Sequence, residues 1–301
     1  MLDIPLTLTV EEAHRRYEAV RPRLPEIGQT GPARLATRLL ETADHYDGYL
    51  FDAFGVLNVG ETAIPGAAEC LDALRAMGKR FCILTNAASY TSAVALAKYH
   101  KLGLDVREGE VVSSRDVLFA HLGQTEPGLR WAAICAAGDR FEDAPFPVLD
   151  LADEMADWDA AEGFLFLSSA RWDAALQEQL VASLRRRPRP VAVGNPDLVA
   201  PREGGLTIEP GYWAHDLQDR TGSVPAFFGK PFREAFLAGT QKLGGGRIAM
   251  VGDTLHTDIL GGNAGGFDTI LVTQHGLYAG RQIAEFIADS GINPTWQIPS
   301  L

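Results

Sequence analysis

The sequence has 301 residues, 46% of them hydrophobic, and a formal net charge of −12. This length predicts one large domain or two smaller ones, and the composition is typical of a globular protein with a sizeable core. The acidic balance argues against a nucleic-acid partner or an anionic membrane surface. We interpret the one basic cluster, Arg185 to Arg189, as the end of a helix.

The cysteines and the N-terminal residues indicate a compartment. Cys70, Cys82 and Cys135 are odd in number and too widely spaced for a disulfide framework or a zinc site. The first twenty residues contain acidic residues and arginines where a signal peptide needs a long apolar stretch. No apolar stretch of the sequence is long enough to span a membrane. We therefore expect a cytoplasmic protein that has no membrane partner.

The first part of the chain alternates between predicted helices and strands. Residues 9–20 predict a helix capped by Thr9, with Glu12 three residues on. A second helix is predicted over 32–43, and the apolar stretch before Asp52 predicts a strand. The elements predicted next are a helix at 67–78, a strand at 80–86, a helix at 91–102 and a strand at 110–114.

The same alternation returns near the other end, with helices predicted at 231–243 and 257–264 and strands at 247–253 and 269–274. Apolar runs without period-two alternation are typical of a parallel sheet covered on both faces. We therefore predict an α/β fold with a doubly wound, parallel-sheet core built from both ends of the chain. Its parts are core residues 1–127 and 223–301, with 1–45 as a helical extension, and an inserted α/β cap domain at 128–222.

Four predicted strands end in polar residues: Asp52, Thr85 with Asn86, Lys230, and Asp253. In an open parallel sheet, ligands bind outside the carboxyl ends of the strands. Carboxylate oxygens, including those of nearby Asp258, suit Mg²⁺, and a hydroxyl and an ammonium suit phosphate oxygens. An aspartate that faces a phosphoryl group is a plausible nucleophile. The set therefore indicates phosphoryl transfer.

These residues resemble the four motifs of the haloacid dehalogenase (HAD) superfamily. The matching stretches, in order, are DAFGV at 52–56, ILTN at 83–86, GKP at 229–231 and GDTLHTD at 252–258. The stretch NPDLVAP at 195–201, together with the inserted domain, resembles the NagD-like or 4-nitrophenylphosphatase branch.

The resemblance implies a Mg²⁺-dependent phosphatase that hydrolyses a small phosphorylated metabolite through an aspartyl-phosphate on Asp52. Its Mg²⁺ ligands would be Asp52, the backbone carbonyl of Phe54, Asp253 and Asp258. The phosphoryl group would be held by Thr85 and Asn86, and Lys230 would neutralise its charge. Arg202, in a stretch that resembles the specificity loop of the family, would contact the substrate. Caps of this family often pair, which implies a possible homodimer through the insert.

Phe54 departs from the family pattern. Its position usually holds a second aspartate, which protonates the leaving oxygen and then activates water. Three interpretations stay open. In the first, the protein hydrolyses esters with good leaving groups, or the substrate or water assists the reaction. In the second, another residue takes the place of the aspartate, and His256 is the nearest candidate unless it is an exposed loop histidine. In the third, the protein binds a phosphorylated ligand and has only vestigial activity.

Overall fold

The computed structural model describes residues 7–27, 30–153, 156–202 and 205–301, and of Arg202 the backbone alone. The α-helices are α1 (Val10–Val20), α2 (Ala67–Ala76), α3 (Ser92–Lys101), α4 (Ser114–Thr125), α5 (Ala174–Arg186), α6 (Pro210–Thr221), α7 (Arg233–Leu243), α8 (Leu260–Ala264) and α9 (Ile283–Ser290). Among the described residues, no helix is both long and apolar enough to cross a membrane.

The strands are β1 (Thr7–Leu8), β2 (Arg34–Leu35), β3 (Gly48–Phe51), β4 (Asn58–Val59), β5 (Thr62–Ala63), β6 (Arg80–Thr85), β7 (Val111–Ser113), β8 (Trp131–Ile134), β9 (Val148–Asp150), β10 (Gly163–Phe166), β11 (Val191–Val193), β12 (Val199–Arg202), β13 (Gly205–Ile208), β14 (Ala226–Phe227), β15 (Ile248–Gly252), β16 (Asp268–Val272) and β17 (Trp296–Ile298).

The core is a parallel sheet with the strand order β2-β17-β16-β15-β3-β6-β7. Both ends of the chain contribute to it, and its inner strand β3 is buried throughout. Tyr49 and Phe51 pack into one apolar cluster, whereas Leu50 packs into another on the opposite face. A sheet covered on both faces explains the continuous apolar runs of its strands. The predicted doubly wound α/β core is thus confirmed.

The insert carries its own parallel sheet, in the order β14-β11-β10-β8-β9. Strand β14 lies beyond residue 222, where the sequence predicted the insert to end. Helices α5 and α6 pack on this sheet around Trp172 and Trp213, which are both buried. Pairing of two copies through this insert stays a prediction.

The N-terminal segment makes a third, smaller sheet with the insert. Strand β1 pairs antiparallel with β13, which pairs antiparallel with β12. Helix α1 follows, and Thr9 and Glu12 form the predicted capping box at its start. The helix predicted over 32–43 is wrong: β2 and a 3₁₀ helix, Leu39–His45, lie there. Pairing of β2 with β17, far along the chain, overrides the local helical pattern.

A buried arginine joins the core to the insert. Arg115 lies in the first turn of α4, its Nη1 is 2.5 Å from Asp139 Oδ2, and its Nε is 2.7 Å from Asp143 Oδ2. Both aspartates belong to the loop after β8, and Arg115 is fully buried. On this side of the molecule, ion pairs and apolar contacts of α4 hold the two sheets together.

Candidate active site

The candidate catalytic residues lie at the carboxyl ends of three adjacent core strands. Asp52 follows β3, Thr85 ends β6 and Asp253 follows β15. Because β3 lies between the other two strands and all three are parallel, their ends meet at one edge of the sheet. This is the edge at which such sheets bind ligands.

Lys230 reaches the same edge from the segment after β14. Its Nζ lies 2.5 Å from Asp52 Oδ1 and 2.8 Å from Asp258 Oδ1, and its side chain is only 2% exposed. The side chain of Asn86 holds the lysine backbone: Oδ1 accepts from Lys230 N at 2.7 Å, and Nδ2 donates to Lys230 O at 2.9 Å. The ammonium is therefore a fixed positive charge between two carboxylates.

A π-helical turn, Leu255–Ile259, brings Asp258 back towards the end of β15. Asp258 Oδ2 accepts hydrogen bonds from the backbone N–H groups of Asp253, at 3.1 Å, and Thr254, at 3.0 Å. The predicted helix at 257–264 is therefore this turn continued by α8. The turn fixes the direction of the Asp258 carboxylate, so that its other oxygen faces Lys230.

The three aspartates form a cluster suited to a hard divalent cation. One carboxylate oxygen from each of Asp52, Asp253 and Asp258 lies within 4.8 Å of the other two. Oxygen ligands of this kind are those that Mg²⁺ and Ca²⁺ take in proteins. The backbone is also shaped around one of them, because a Cβ at Gly276 would lie 1.9 Å from Asp253 Oδ2. The residues present therefore fit a divalent metal.

Crowding of the carboxyl groups changes their acidity. Burial raises the pKa of Asp52 to about 6, and the Asp258 carboxylate adds to that rise while Lys230 opposes it. Burial, then Asp258 and Asp52, raise the pKa of Asp253 well above its usual value. Burial lowers the pKa of Lys230, but the Asp258 and Asp52 carboxylates raise it by more. Lys230 therefore stays charged while the carboxylates repel one another, and a bound cation relieves that repulsion.

A cavity of about 180 Å³ opens beside Asp52. Thr85 and Asn86 line it, as do Phe54 and Asp197. Because the Asn86 side chain is engaged with Lys230 and Asp197, it holds the pocket wall together. The cavity is large enough for a phosphoryl group, and Thr85 lines it together with the nucleophile candidate Asp52.

Two candidates from the sequence have other positions. His256 is neither exposed nor in this cavity: it is fully buried, and its Nε2 lies 2.5 Å from Glu18 Oε1. It therefore cannot reach a leaving group, and the interpretation as an exposed loop histidine is also wrong. The backbone of Arg202 ends β12, but its side chain lies outside the described residues, so its contact with substrate stays a prediction.

Two features of the site were not predicted. Asp197 lines the cavity, and its Oδ1 accepts from Asn86 Nδ2 at 2.8 Å. A second cavity, of about 550 Å³, lies in the insert and shares Ser89 and Glu209 with the first. The NPD stretch at 195–197 could have indicated Asp197 as a site residue. The second cavity could not be predicted in this way, because its lining residues are distant from one another in the sequence.

Two family models match the chain. Residues 49–143 match the haloacid dehalogenase-like hydrolases, and residues 227–301 match a HAD-hydrolase-like family. The first range covers core strands β3, β6 and β7 and extends into the insert as far as residue 143, and the second covers the core strands that follow the insert. Together they contain Asp52, Thr85, Lys230 and Asp253.

Relatives and solved structures extend this similarity across the insert. An acid sugar phosphatase of Staphylococcus aureus is 26% identical over 259 residues, which cover 85% of this chain and 95% of that protein. A possible sugar phosphatase from Cytophaga hutchinsonii has a TM-score of 0.76 at 28% identity and covers 89% of this chain and 98% of its own. The fold of a p-nitrophenyl phosphatase from Archaeoglobus fulgidus is also similar, with a TM-score of 0.73 at 23% identity over 85% of this chain and 96% of that one.

Proposed function

Because the chain belongs to the haloacid dehalogenase superfamily, we propose that it is a phosphatase of small phosphorylated metabolites, of the NagD-like branch. The observation that carries this proposal is the arrangement at one sheet edge of Asp52, an ammonium 2.5 Å from it, and two further buried carboxylates. A nucleophile, a fixed positive charge and a cation site are what phosphoryl transfer requires.

In the proposed reaction, a carboxylate oxygen of Asp52 attacks phosphorus, and the bond from phosphorus to the leaving oxygen breaks. The leaving oxygen takes a proton, and the product alcohol departs. Water then attacks the aspartyl-phosphate, which releases inorganic phosphate and restores the Asp52 carboxylate. Lys230 stabilises the charge on Asp52 and on the phosphoryl oxygens, and Thr85 donates to one of those oxygens.

We propose Mg²⁺ as the metal, held by Asp52, Asp253, Asp258 and the backbone carbonyl of Phe54. When bound, the ion neutralises negative charge on the phosphoryl group. The surroundings of the Asp253 carboxylate are closely packed, since Gly55 and Gly276 lie directly against it and Leu277 N donates to it at 2.7 Å.

Gly276→Ala is expected to lower the affinity for Mg²⁺ by about tenfold or more, because its methyl group would displace the Asp253 carboxylate. The control is Gly280→Ala: both glycines have positive φ, +79° and +72°, but no described atom lies within 4 Å of a Cβ at Gly280. Calorimetric titration with Mg²⁺ measures both. Equal affinities in the two variants would contradict this account of the metal site.

Phe54 cannot protonate the leaving oxygen, and we propose that Asp197 is the residue that does so. Asp197 lines the cavity beside Asp52, and Asn86 ties it to the phosphoryl-binding wall. Burial raises the pKa of Asp197 to about 8, since Lys230 and the Asn86 amide offset only part of that effect. A carboxyl group that is protonated at neutral pH can donate to the leaving oxygen.

Asp197→Asn is expected to lower kcat on alkyl phosphates by about 10²-fold, and on p-nitrophenyl phosphate by less than about fivefold, because nitrophenolate leaves without a proton. Adding Phe54→Asp to this variant should restore much of the activity on alkyl phosphates. Steady-state rates on the two classes of ester measure this. An equal loss on both classes would mean that Asp197 only positions Asn86.

For the substrate we propose a sugar or polyol phosphate. The second cavity is lined by Trp172 and Trp213, and by Ser168, Thr207 and Glu209. Aromatic faces beside hydroxyl and carboxylate groups suit a hydroxylated leaving group, and Glu209 disfavours a second anionic group. The name of the Staphylococcus aureus relative, an acid sugar phosphatase, agrees with this choice.

The test is phosphate release at pH 7, with Mg²⁺ or with a chelator, from p-nitrophenyl phosphate, acetyl phosphate, sugar and polyol phosphates, and nucleotides. We expect turnover only with Mg²⁺, and the highest kcat/KM among natural esters for sugar or polyol phosphates. The alternative favoured by Phe54 is a phospho-ligand-binding protein with vestigial activity. Tight binding of one ester without release from any of them would establish that alternative.

A further inference from the structure

The N-terminal segment 7–27 lies outside both family-model matches, the first of which begins at residue 49 and the second at residue 227. It nevertheless contacts parts of the chain that form the candidate active site. Ala13, Tyr17 and Val20 of α1 share one apolar cluster with Leu198, next to Asp197, and with Leu255 and Ile259 of the π-helical turn. The segment therefore packs at once on the metal-site turn and on the entry to the β12–β13 hairpin.

On the metal-site turn, the contact is with His256, two residues before Asp258. The Tyr17 ring stacks on the His256 ring at a centroid distance of 4.7 Å and an interplanar angle of 12°. Glu18 Oε1 lies 2.5 Å from His256 Nε2, and the His14 ring meets the same imidazole edge-on at 5.2 Å. Three side chains of α1 thus enclose a fully buried residue of the turn that carries Asp258.

On the insert, the contact is with the segment that leads out of β11. The Tyr17 hydroxyl accepts a hydrogen bond from Leu198 N at 3.1 Å, and Leu198 directly follows Asp197. Strand β1 continues the contact by pairing with β13. Farther out, Arg16 and Arg23 both pair with Asp219 on α6, Arg16 at 2.8 Å.

We propose that Tyr17 is a positioning residue that ties the insert to the metal-site turn across the active site. Its ring holds the turn that presents Asp258, and its hydroxyl holds the backbone beside Asp197. One side chain therefore contacts both the turn that carries Asp258 and the backbone next to Asp197, which lines the cavity. The catalytic consequence rests on the proposed phosphatase activity, whereas the tie itself does not.

Tyr17→Phe and Tyr17→Leu separate the two contacts. Tyr17→Phe removes only the hydroxyl, so we expect hydrogen exchange at the Leu198 amide to accelerate about tenfold and KM to rise about fivefold, with kcat nearly unchanged. Tyr17→Leu also removes the stacked ring, and we expect calorimetry to give a Mg²⁺ affinity about tenfold lower. The control is Tyr49→Phe, which removes a buried hydroxyl bonded to Thr42 Oγ1 at 3.1 Å within the core.

Tyr49→Phe should change stability without changing Leu198 exchange, KM or Mg²⁺ affinity. Unchanged exchange in Tyr17→Phe, or wild-type Mg²⁺ affinity in a folded Tyr17→Leu, would overturn the proposal. Faster exchange without any change in KM would overturn its catalytic part. If the wild type hydrolyses no ester, the proposed function fails, and exchange and calorimetry still decide whether Tyr17 forms the tie.

Discussion

Asp52→Asn is expected to abolish phosphate release from every ester, with kcat at least about 10³-fold below that of the wild type. An amide has nearly the shape of the carboxylate but is a poor nucleophile towards phosphorus. The fold should persist, because Lys230 keeps its ion pair with Asp258 at 2.8 Å and an amide oxygen can still accept from its ammonium. The matched control is Asp72→Asn, an exposed aspartate on α2 whose loss should leave kcat unchanged.

The same variant tests the covalent intermediate. Wild-type protein quenched in acid during turnover of acetyl phosphate should gain the mass of one phosphoryl group, on the peptide that contains Asp52. Asp52→Asn should gain none. If this variant kept a tenth or more of the wild-type rate, direct attack of water on the ester would replace the aspartyl-phosphate route.

Lys230→Met is expected to remove activity and to lower the free energy of unfolding of the metal-free protein by about 3–5 kcal/mol. The ammonium faces both Asp52 and Asp258 inside the protein, so its loss leaves two buried carboxylates without this partner. Urea unfolding in a chelator measures the loss. Mg²⁺ should restore part of it, because the ion neutralises the same carboxylates. The control is Lys101→Met on the exposed side of α3, where a change within about 0.5 kcal/mol is expected.

The destabilisation by Lys230→Met should also depend on pH. Lys230 lowers the pKa of Asp52, so its removal raises that pKa further above the unfolded value. The folded variant then binds more protons than the unfolded chain, and its stability falls as pH rises from about 4 through the folded pKa. The loss should therefore be larger at pH 8 than at pH 5. A loss that is the same at both pH values would mean that the carboxyls do not take up protons when Lys230 is absent.

The strand ends were predictable because they depend on local pattern. An apolar run that stops at Asp52, Thr85 or Asp253 marks both a buried strand and its carboxyl end, and parallel pairing then brings those ends together. The capped helix α1 was predictable for the same reason, since Thr9 and Glu12 are three residues apart.

The errors arose where distant residues decide the outcome. Residues 34–35 form a strand because β17 pairs with them. The local sequence pattern cannot indicate this partner, which lies more than 250 residues away. His256 was interpreted as a catalytic or an exposed residue, whereas Tyr17 and Glu18 bury it from the other end of the chain. The role proposed for Asp197 depends on Asn86, a contact that spans 111 positions.

The strand order of the core also determines how the chain acquires its structure during synthesis. Strands β3, β6 and β7 leave the ribosome early, but β15, the other neighbour of β3, follows only after the whole insert. The sheet of the insert, by contrast, is complete once β14 has emerged. The apolar edge of β3 therefore stays unpaired while the insert folds, and such an edge is a template for aggregation. The last pairing of the core sheet is that of β17 with β2, which joins the final strand of the core to the first.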